Sequence, residues 1–274
     1  NIETLLSSAV SAGTTDVTMV FEGGQTYNLE TISLPTGLSN VSFAGEPDGA
    51  GQKPILNLRE VKLDAPVIGK FLFENVDLRG ADINTFLVNL ASDGISIDTY
   101  AFVSCRITNF RSAIRLGNNA LKVGSIVFDD CQVANMGGYG VVNTAGSTPV
   151  IDSITFKNST LTELSTQLMD VRNPVKQITI ASCTFYNRQV AMTQLLRLDT
   201  KTLPQSLTTS ANIFSGNNSG GSINATSFDP ASTALQISFG GSFRTNELTI
   251  DKYEFTDIGV FGGTAEDLFI DAQG

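Results

Sequence analysis

The chain contains no histidine and no tryptophan. Without histidine there is no imidazole general base, no His-activated nucleophile and no His metal ligand. Without tryptophan, the largest aromatic platform for stacking a ligand is missing. Charged residues are sparse, 16% against a usual share of about 25%. They are also unbalanced, with 27 Asp and Glu against 17 Lys and Arg, a formal net charge of −10. Backbone binding of nucleic acid needs a basic footprint, so nucleic acid is not an expected partner. No apolar run approaches the ~20 residues of a membrane-spanning helix. The opening "NIETLLSSAV" lacks the basic start and long apolar stretch of a signal peptide. An exported form would have lost its signal already, and the chain reads as a mature fragment.

What is present favours strands. Gly, Ser, Thr and Asn are abundant, and a 41% hydrophobic share over 274 residues suffices for a sizeable core. The three cysteines lie in matching contexts: "AFVSCRITNF", "IVFDDCQVANM" and "ITIASCTFYNR". In each, an aromatic or aliphatic residue stands three places before the Cys. An apolar residue follows two places after it, and Asn two further on. The frame, led by Phe102, Phe128 and Ile180 in these copies, recurs at Phe73, Phe156 and Ile250, with a degenerate copy in "TTSANIFSGNN" around Phe214. Spacing through the middle of the chain is 24–29 residues.

Within a copy, apolar positions alternate, break once and alternate again, without the three-and-four recurrence of a helix. Leucine-rich and propeller-blade marks are missing. Short strands joined by tight bends fit, each coil too small to close a core alone but able to do so by stacking. The predicted fold is all-β: a single-stranded right-handed parallel β-helix with coils of 24–29 residues. It forms one domain over 1–274, with longer decorated coils at 199–247. Ile2, Leu5, Leu6, Ala9 and Val10 share one face of a predicted helix ending at Gly13, an α-helical cap (1–13) over the first coil.

This phase assigns the cysteines. Phe128, Cys131 and Val133 point inward, Asp129 and Asp130 turn a corner, and Asn135 makes a second bend. Asn109 and Asn187 hold the same place as Asn135, with Glu163 and Asp257 in other copies; Asn tolerates left-handed backbone. Stacked coils lie about 4.8 Å apart, and parallel side chains do not converge as a disulfide requires. Cys183 is two coils beyond Cys131, with Ser159 between. Zinc would need more ligands at shorter spacing. The cysteines therefore read as small hydrophobes in an inward ladder.

The lead-in "GGQTYNLETISLPTGLSNVSFAGEP" followed by F-x-x-C-x-V-x-N coils resembles the pectate-lyase-like β-helix superfamily over nearly the whole chain. More narrowly, "ITIASCTFYN" and "AEDLFIDAQG" resemble secreted β-helix proteins of Bacteroidetes. Those commonly follow a fibronectin-like module within surface polysaccharide-use systems, and there the ending leads into another short strand. The resemblance implies an extracellular or cell-surface protein, with polysaccharide and other surface proteins as partners. It is specific for fold and weak for activity.

The third strand of each coil is the place to look for function. Phe86 and Val88, Ile114 and Leu116, Met169 and Val171, and Leu196 and Leu198 are expected to point inward. Leu87, Arg115, Asp170, Arg172, Arg197 and Asp199 then point outward. An arginine cluster is notable in an acidic chain, because a guanidinium is a planar fork matched to carboxylates. Arg115, Asp170, Asp199 and Tyr139, the last on a Gly-rich loop at 136–149, are candidates to bind a uronic-acid-containing polysaccharide. An ordinary surface ladder of Arg–Asp pairs fits the same residues. The superfamily resemblance further implies a possible β-elimination, with Arg172 or Arg197 as base and calcium held by Asp170 and Asp199. "VRNPVK" faintly resembles a lyase Arg-x-Pro-x-x-Arg motif, one residue short and with Lys176 for the last Arg. The Gly-His-Gly motif of galacturonan hydrolases is impossible here, and the paired acids Asp129 and Asp130 fall at a turn. Three readings follow: a polysaccharide-binding surface protein, a calcium-dependent polysaccharide lyase, or a non-catalytic adhesin or spacer. A monomer is expected.

Overall fold

In the computed structural model, strands repeat along the chain and pair with their counterparts one coil away. The structure describes residues 1–63, 67–117, 119–144, 149–186, 196–198, 204–216, 221–222, 237–249 and 257–269. Among these, nine parallel strands stack into one sheet, from Asp16–Glu22 through Ser96–Val103, Lys122–Asp129 and Val150–Lys157 to Ile237–Ser238. The second and third strands of the coils share a 15-stranded sheet. They join through the long strand Ile55–Leu63, whose first half pairs with Asp77–Gly80 and whose Val61 pairs with Val88 of Phe86–Leu90. The fold is a parallel β-solenoid.

The register explains the core. Phe43, Phe73, Phe102, Phe128 and Phe156 are successive partners in the first sheet, all fully buried. Phe102, Phe128 and Phe156 stack with ring centroids 4.7 and 4.6 Å apart, near the spacing of the strands themselves. Ile180 and then Thr209 continue this column. The degenerate copy around Phe214 is thus in phase, with Phe214 paired to Phe185.

Two corners per coil use left-handed backbone. Asn75, Ser104, Asp130, Asn158, Ser182 and Ala211 have positive φ at the first, one per coil. Asn109, Asn135 and Glu163 have φ of 64°, 52° and 50° at the second, and Asn135 Nδ2 donates to Asn109 Oδ1 at 2.5 Å. Asp257 does not hold this place: its Oδ2 accepts from Ser238 Oγ and the Phe239 N–H. Asn187 lies outside the described residues.

The cysteines occupy one inward column with polar members. Cys105, Cys131 and Cys183 are free and buried. Ser159 Oγ accepts from the Cys131 N–H at 3.0 Å, and Asn212 Oδ1 from the Cys183 N–H at 2.9 Å. The column therefore also satisfies backbone donors that the corner would leave unpaired.

The N-terminal helix is Ile2–Ser11, capped by the Asn1 side chain on the Glu3 N–H. Leu6 is fully buried, but Leu5 is 57% exposed and is not part of the capping face. Glu3 Oε1 accepts from the Ser33 N–H at 2.7 Å and fixes the helix to the strand Thr26–Leu34. Much of the decorated stretch at 199–247 lies outside the described residues.

Candidate functional site

Three of the four expected inward pairs stand in register, Ile114 with Leu116, Met169 with Val171 and Leu196 with Leu198, and only the first pair is displaced, by two residues. Val88, Ile114, Val142, Met169 and Leu196 are successive partners, as are Leu90, Leu116, Thr144, Val171 and Leu198. The inward pair of the first of these strands is thus Val88 and Leu90, not Phe86 and Val88. Leu87 is fully buried rather than outward, in line with Ala113, Val141 and Leu168, which are buried too. The bend entering each third strand turns two consecutive residues inward, which strict alternation does not anticipate. Phe86 is left half-buried on the outside. The loop at 136–149 is likewise no plain excursion, since it contains the third strand Val142–Thr144.

One outward position per coil forms a continuous ladder: Asn89, Arg115, Asn143, Asp170, Arg197. Three of these five were legible as candidates. Asn89 fell beyond the first inward pair, which was set two residues early at Phe86 and Val88, and Asn143 was hidden by the glycines around it.

Asp170 is the hub. Although outward in register, it is only 1% exposed. Arg172 Nε donates to its Oδ1 at 2.9 Å and Nη2 to its Oδ2 at 2.6 Å. Arg197 Nη1 approaches Oδ2 at 3.5 Å and Asn143 Nδ2 at 3.4 Å. Thr144 Oγ1 accepts from the Arg172 N–H at 3.0 Å, anchoring the backbone beneath this cluster. A carboxylate held by two guanidiniums does not fit calcium, which takes six to eight oxygens and would be repelled by both cations. Asp199, the other expected ligand, lies outside the described residues. No group of three or more His, Cys, Asp or Glu among the described residues is placed to hold a metal. Arg172 turns two nitrogens toward Asp170, while its side chain stays 38% exposed. Lys176 sits in the first strand Val175–Ala181 and pairs with Asp152 at 2.6 Å, which separates it from Arg172. The turn acids are engaged as well. Asp129 pairs with Lys157 at 2.9 Å, and Asp130 accepts from Ser104 Oγ at 2.7 Å.

A second cluster flanks the other end of the ladder. Arg115 Nη1 donates to Asn89 Oδ1 at 3.1 Å, and its guanidinium lies 5.2 Å from the Phe86 ring centre. Tyr139 stacks on Phe86 at 5.6 Å. Arg111, which sequence reasoning missed, lies 4.2 Å from the Tyr139 ring centre and 5.5 Å from that of Phe86. Tyr139 is therefore half-buried in an arginine–aromatic group rather than a lone platform. Each cation over a ring contributes about 0.5–1 kcal/mol at such a site. Of the five rungs, Arg115 and Arg197 are cations and Asp170 is the one carboxylate, in a chain of net charge −10.

A family model described as a domain of unknown function (DUF4957) matches residues 52–164, under half of the chain. That stretch contains the coils bearing Arg111, Arg115 and Tyr139, while Asp170, Arg172 and Arg197 follow it. No curated protein and no solved structure matches the chain. No helix among the described residues is long and apolar enough to cross a membrane.

Proposed function

We propose that the protein binds an acidic, uronic-acid-containing polysaccharide along the outer face of its third strands. The observation carrying this reading is the in-register ladder from Asn89 to Arg197, with Arg111, Phe86 and Tyr139 at its near end. Rungs about 4.8 Å apart set Arg115 and Arg197, three rungs apart, about 14 Å from each other. An extended polymer with regularly placed carboxylates suits such a row of forks. The aromatic pair adds an apolar surface for a sugar ring. An exported setting, on the cell surface or free, belongs to the same proposal. It is supported by the resemblance to pectate-lyase-like proteins and to secreted β-helix proteins of Bacteroidetes.

Titration calorimetry with oligogalacturonates of increasing length tests it. Affinity should rise with length and fall at least about tenfold in Arg115→Ala/Arg197→Ala; unchanged affinity would overturn the reading. A spacer or adhesin role is the second reading, favoured by Asp170 neutralising both of its arginines internally. Absence of binding to any acidic glycan would support that role instead. Ultraviolet detection of unsaturated product, with calcium present, would establish the lyase in place of both.

A further inference from the structure

Around the Asn109–Asn135 corner from the ladder, the outer side of the second strands carries a groove of about 330 Å³. It gathers Lys53, Arg79 and Arg106 around Asp77, with Gln132 also on its wall. Three cations thus face one carboxylate in a chain of net charge −10.

The groove is preformed. Its wall on one side is the loop at 47–53, pinned by Asp48 Oδ1, which accepts from the Ala50 and Gln52 N–H groups at 2.9 and 2.8 Å. Lys53 then reaches across the coils, and its Nζ donates to the Ser104 carbonyl at 2.5 Å. Ser104 lies two residues before Arg106, so the ammonium and that guanidinium flank the same strand entrance.

Two groups in the groove are incompletely used. Asp77 engages Arg79 through Oδ2 alone, at 3.1 Å from Nε and 2.7 Å from Nη2. Its Oδ1 is buried without a hydrogen-bond partner, on a side chain 9% exposed. A buried polar atom left unpaired is unfavourable and calls for a donor. Arg106 stands beside Asp77 in register. It is exposed, and its guanidinium makes no hydrogen bond or ion pair among the described residues. One group wants a donor and its neighbour an acceptor. A simple anion would satisfy Arg106 and be repelled by Asp77. A neutral sugar would satisfy Asp77 and leave Arg106 idle.

We infer that this groove binds a hydroxy acid of the sugar-acid class, with its carboxylate on Arg106 and Lys53 and one hydroxyl donating to the Asp77 carboxylate. The site is separate from the third-strand ladder and does not depend on it. The ligand is either a free sugar acid or one unit of an acidic glycan.

Two-dimensional ¹⁵N NMR titration of the full chain distinguishes these cases, with D-galacturonate, D-galactose, acetate and pentagalacturonate as probes. Galacturonate should shift amides at 51–53, 55, 77–79, 106 and 132, and bind at least about tenfold more tightly than galactose or acetate. Arg106→Ala should abolish those shifts, while Arg197→Ala leaves them unchanged. Arg106 is exposed, so that variant should keep the parent's thermal midpoint, measured alongside. Pentagalacturonate shifting the groove more strongly than the monomer identifies a glycan unit; the monomer acting equally identifies the free acid. Equal binding of acetate and galacturonate, no shifts in the groove, or full affinity in Arg106→Ala would each overturn the proposal. Loss of pentagalacturonate binding in Arg115→Ala/Arg197→Ala with the groove shifts retained concerns the ladder alone.

Discussion

Asp170 meets Arg172 through two hydrogen bonds, Nε to Oδ1 and Nη2 to Oδ2, from a side chain only 2% exposed. The pair is asymmetric, since Arg172 remains 38% exposed. Removing the arginine leaves a buried carboxylate with only the longer contacts to Arg197 and Asn143. Arg172→Ala should therefore lower stability by about 2 kcal/mol. That is less than the 3–5 kcal/mol of a fully buried pair, because the arginine is partly solvated. Arg197→Ala should change stability by less than about 1 kcal/mol. Urea unfolding of both variants checks the ranking, and equal losses would contradict it.

The stacked phenylalanines should dominate the core energetics. Phe128 lies between Phe102 and Phe156, so Phe128→Ala should cost about 3–5 kcal/mol. Tyr100 offers the contrast. Its ring packs on Phe71 and Phe102, but its buried hydroxyl has no hydrogen-bond partner. Tyr100→Phe should be neutral or stabilising by up to about 1 kcal/mol. A clear loss in urea unfolding would reveal a partner for that hydroxyl.

The thiols should be inert in the native state. Burial pushes Cys183 up to about 11 from an ordinary 9.0. The hydrogen bond with Cys105, together with burial, raises Cys131. Burial acts on Cys105 too, but its hydrogen bonds with Cys131 and the backbone outweigh it and lower that thiol. All three thiols are nevertheless shut from solvent, so a thiol reagent at pH 8 should find no reactive cysteine until denaturant is added, and then three. For Cys183 the folded value lies above the unfolded one. Its contribution to stability is complete below pH 9 and is lost as pH rises to about 11. Denaturation midpoints across that window should fall in the parent and fall less in Cys183→Ser.

Asn135 occupies the left-handed region at φ 52° and bonds Asn109 along the corner. Asn135→Ala should cost about 1–2 kcal/mol through backbone strain. Asn135→Gly should cost less, because glycine accepts positive φ. Thermal unfolding of the two variants compares them, and a larger loss in the glycine variant would make the amide contact the dominant effect.

The solenoid was legible because its signal is local and repeated. Alternation around Phe128, Cys131 and Val133 sets the inward side of each coil, and the 24–29-residue period sets which coils stack. Even Thr209, polar where its neighbours are apolar, falls into register because the period carries it there. The ladder was partly legible. Arg115, Asp170 and Arg197 stand out as charges between apolar pairs, whereas Asn143 sits among glycines and small residues that read as loop.

Sequence alone thus determined the coil, its core columns and its left-handed corners, because each follows from which residues are apolar and which tolerate positive φ. Tertiary structure alone decided the rest. A bend can turn two neighbours inward, so only packing shows that Leu87 is core and Phe86 supports Tyr139. Asp170 is charged and outward in register, yet the guanidiniums folded over it bury it. Arg106 and Lys53 are far apart in the chain, and they flank one groove only because a loop pinned by Asp48 carries Lys53 across the coils to Ser104.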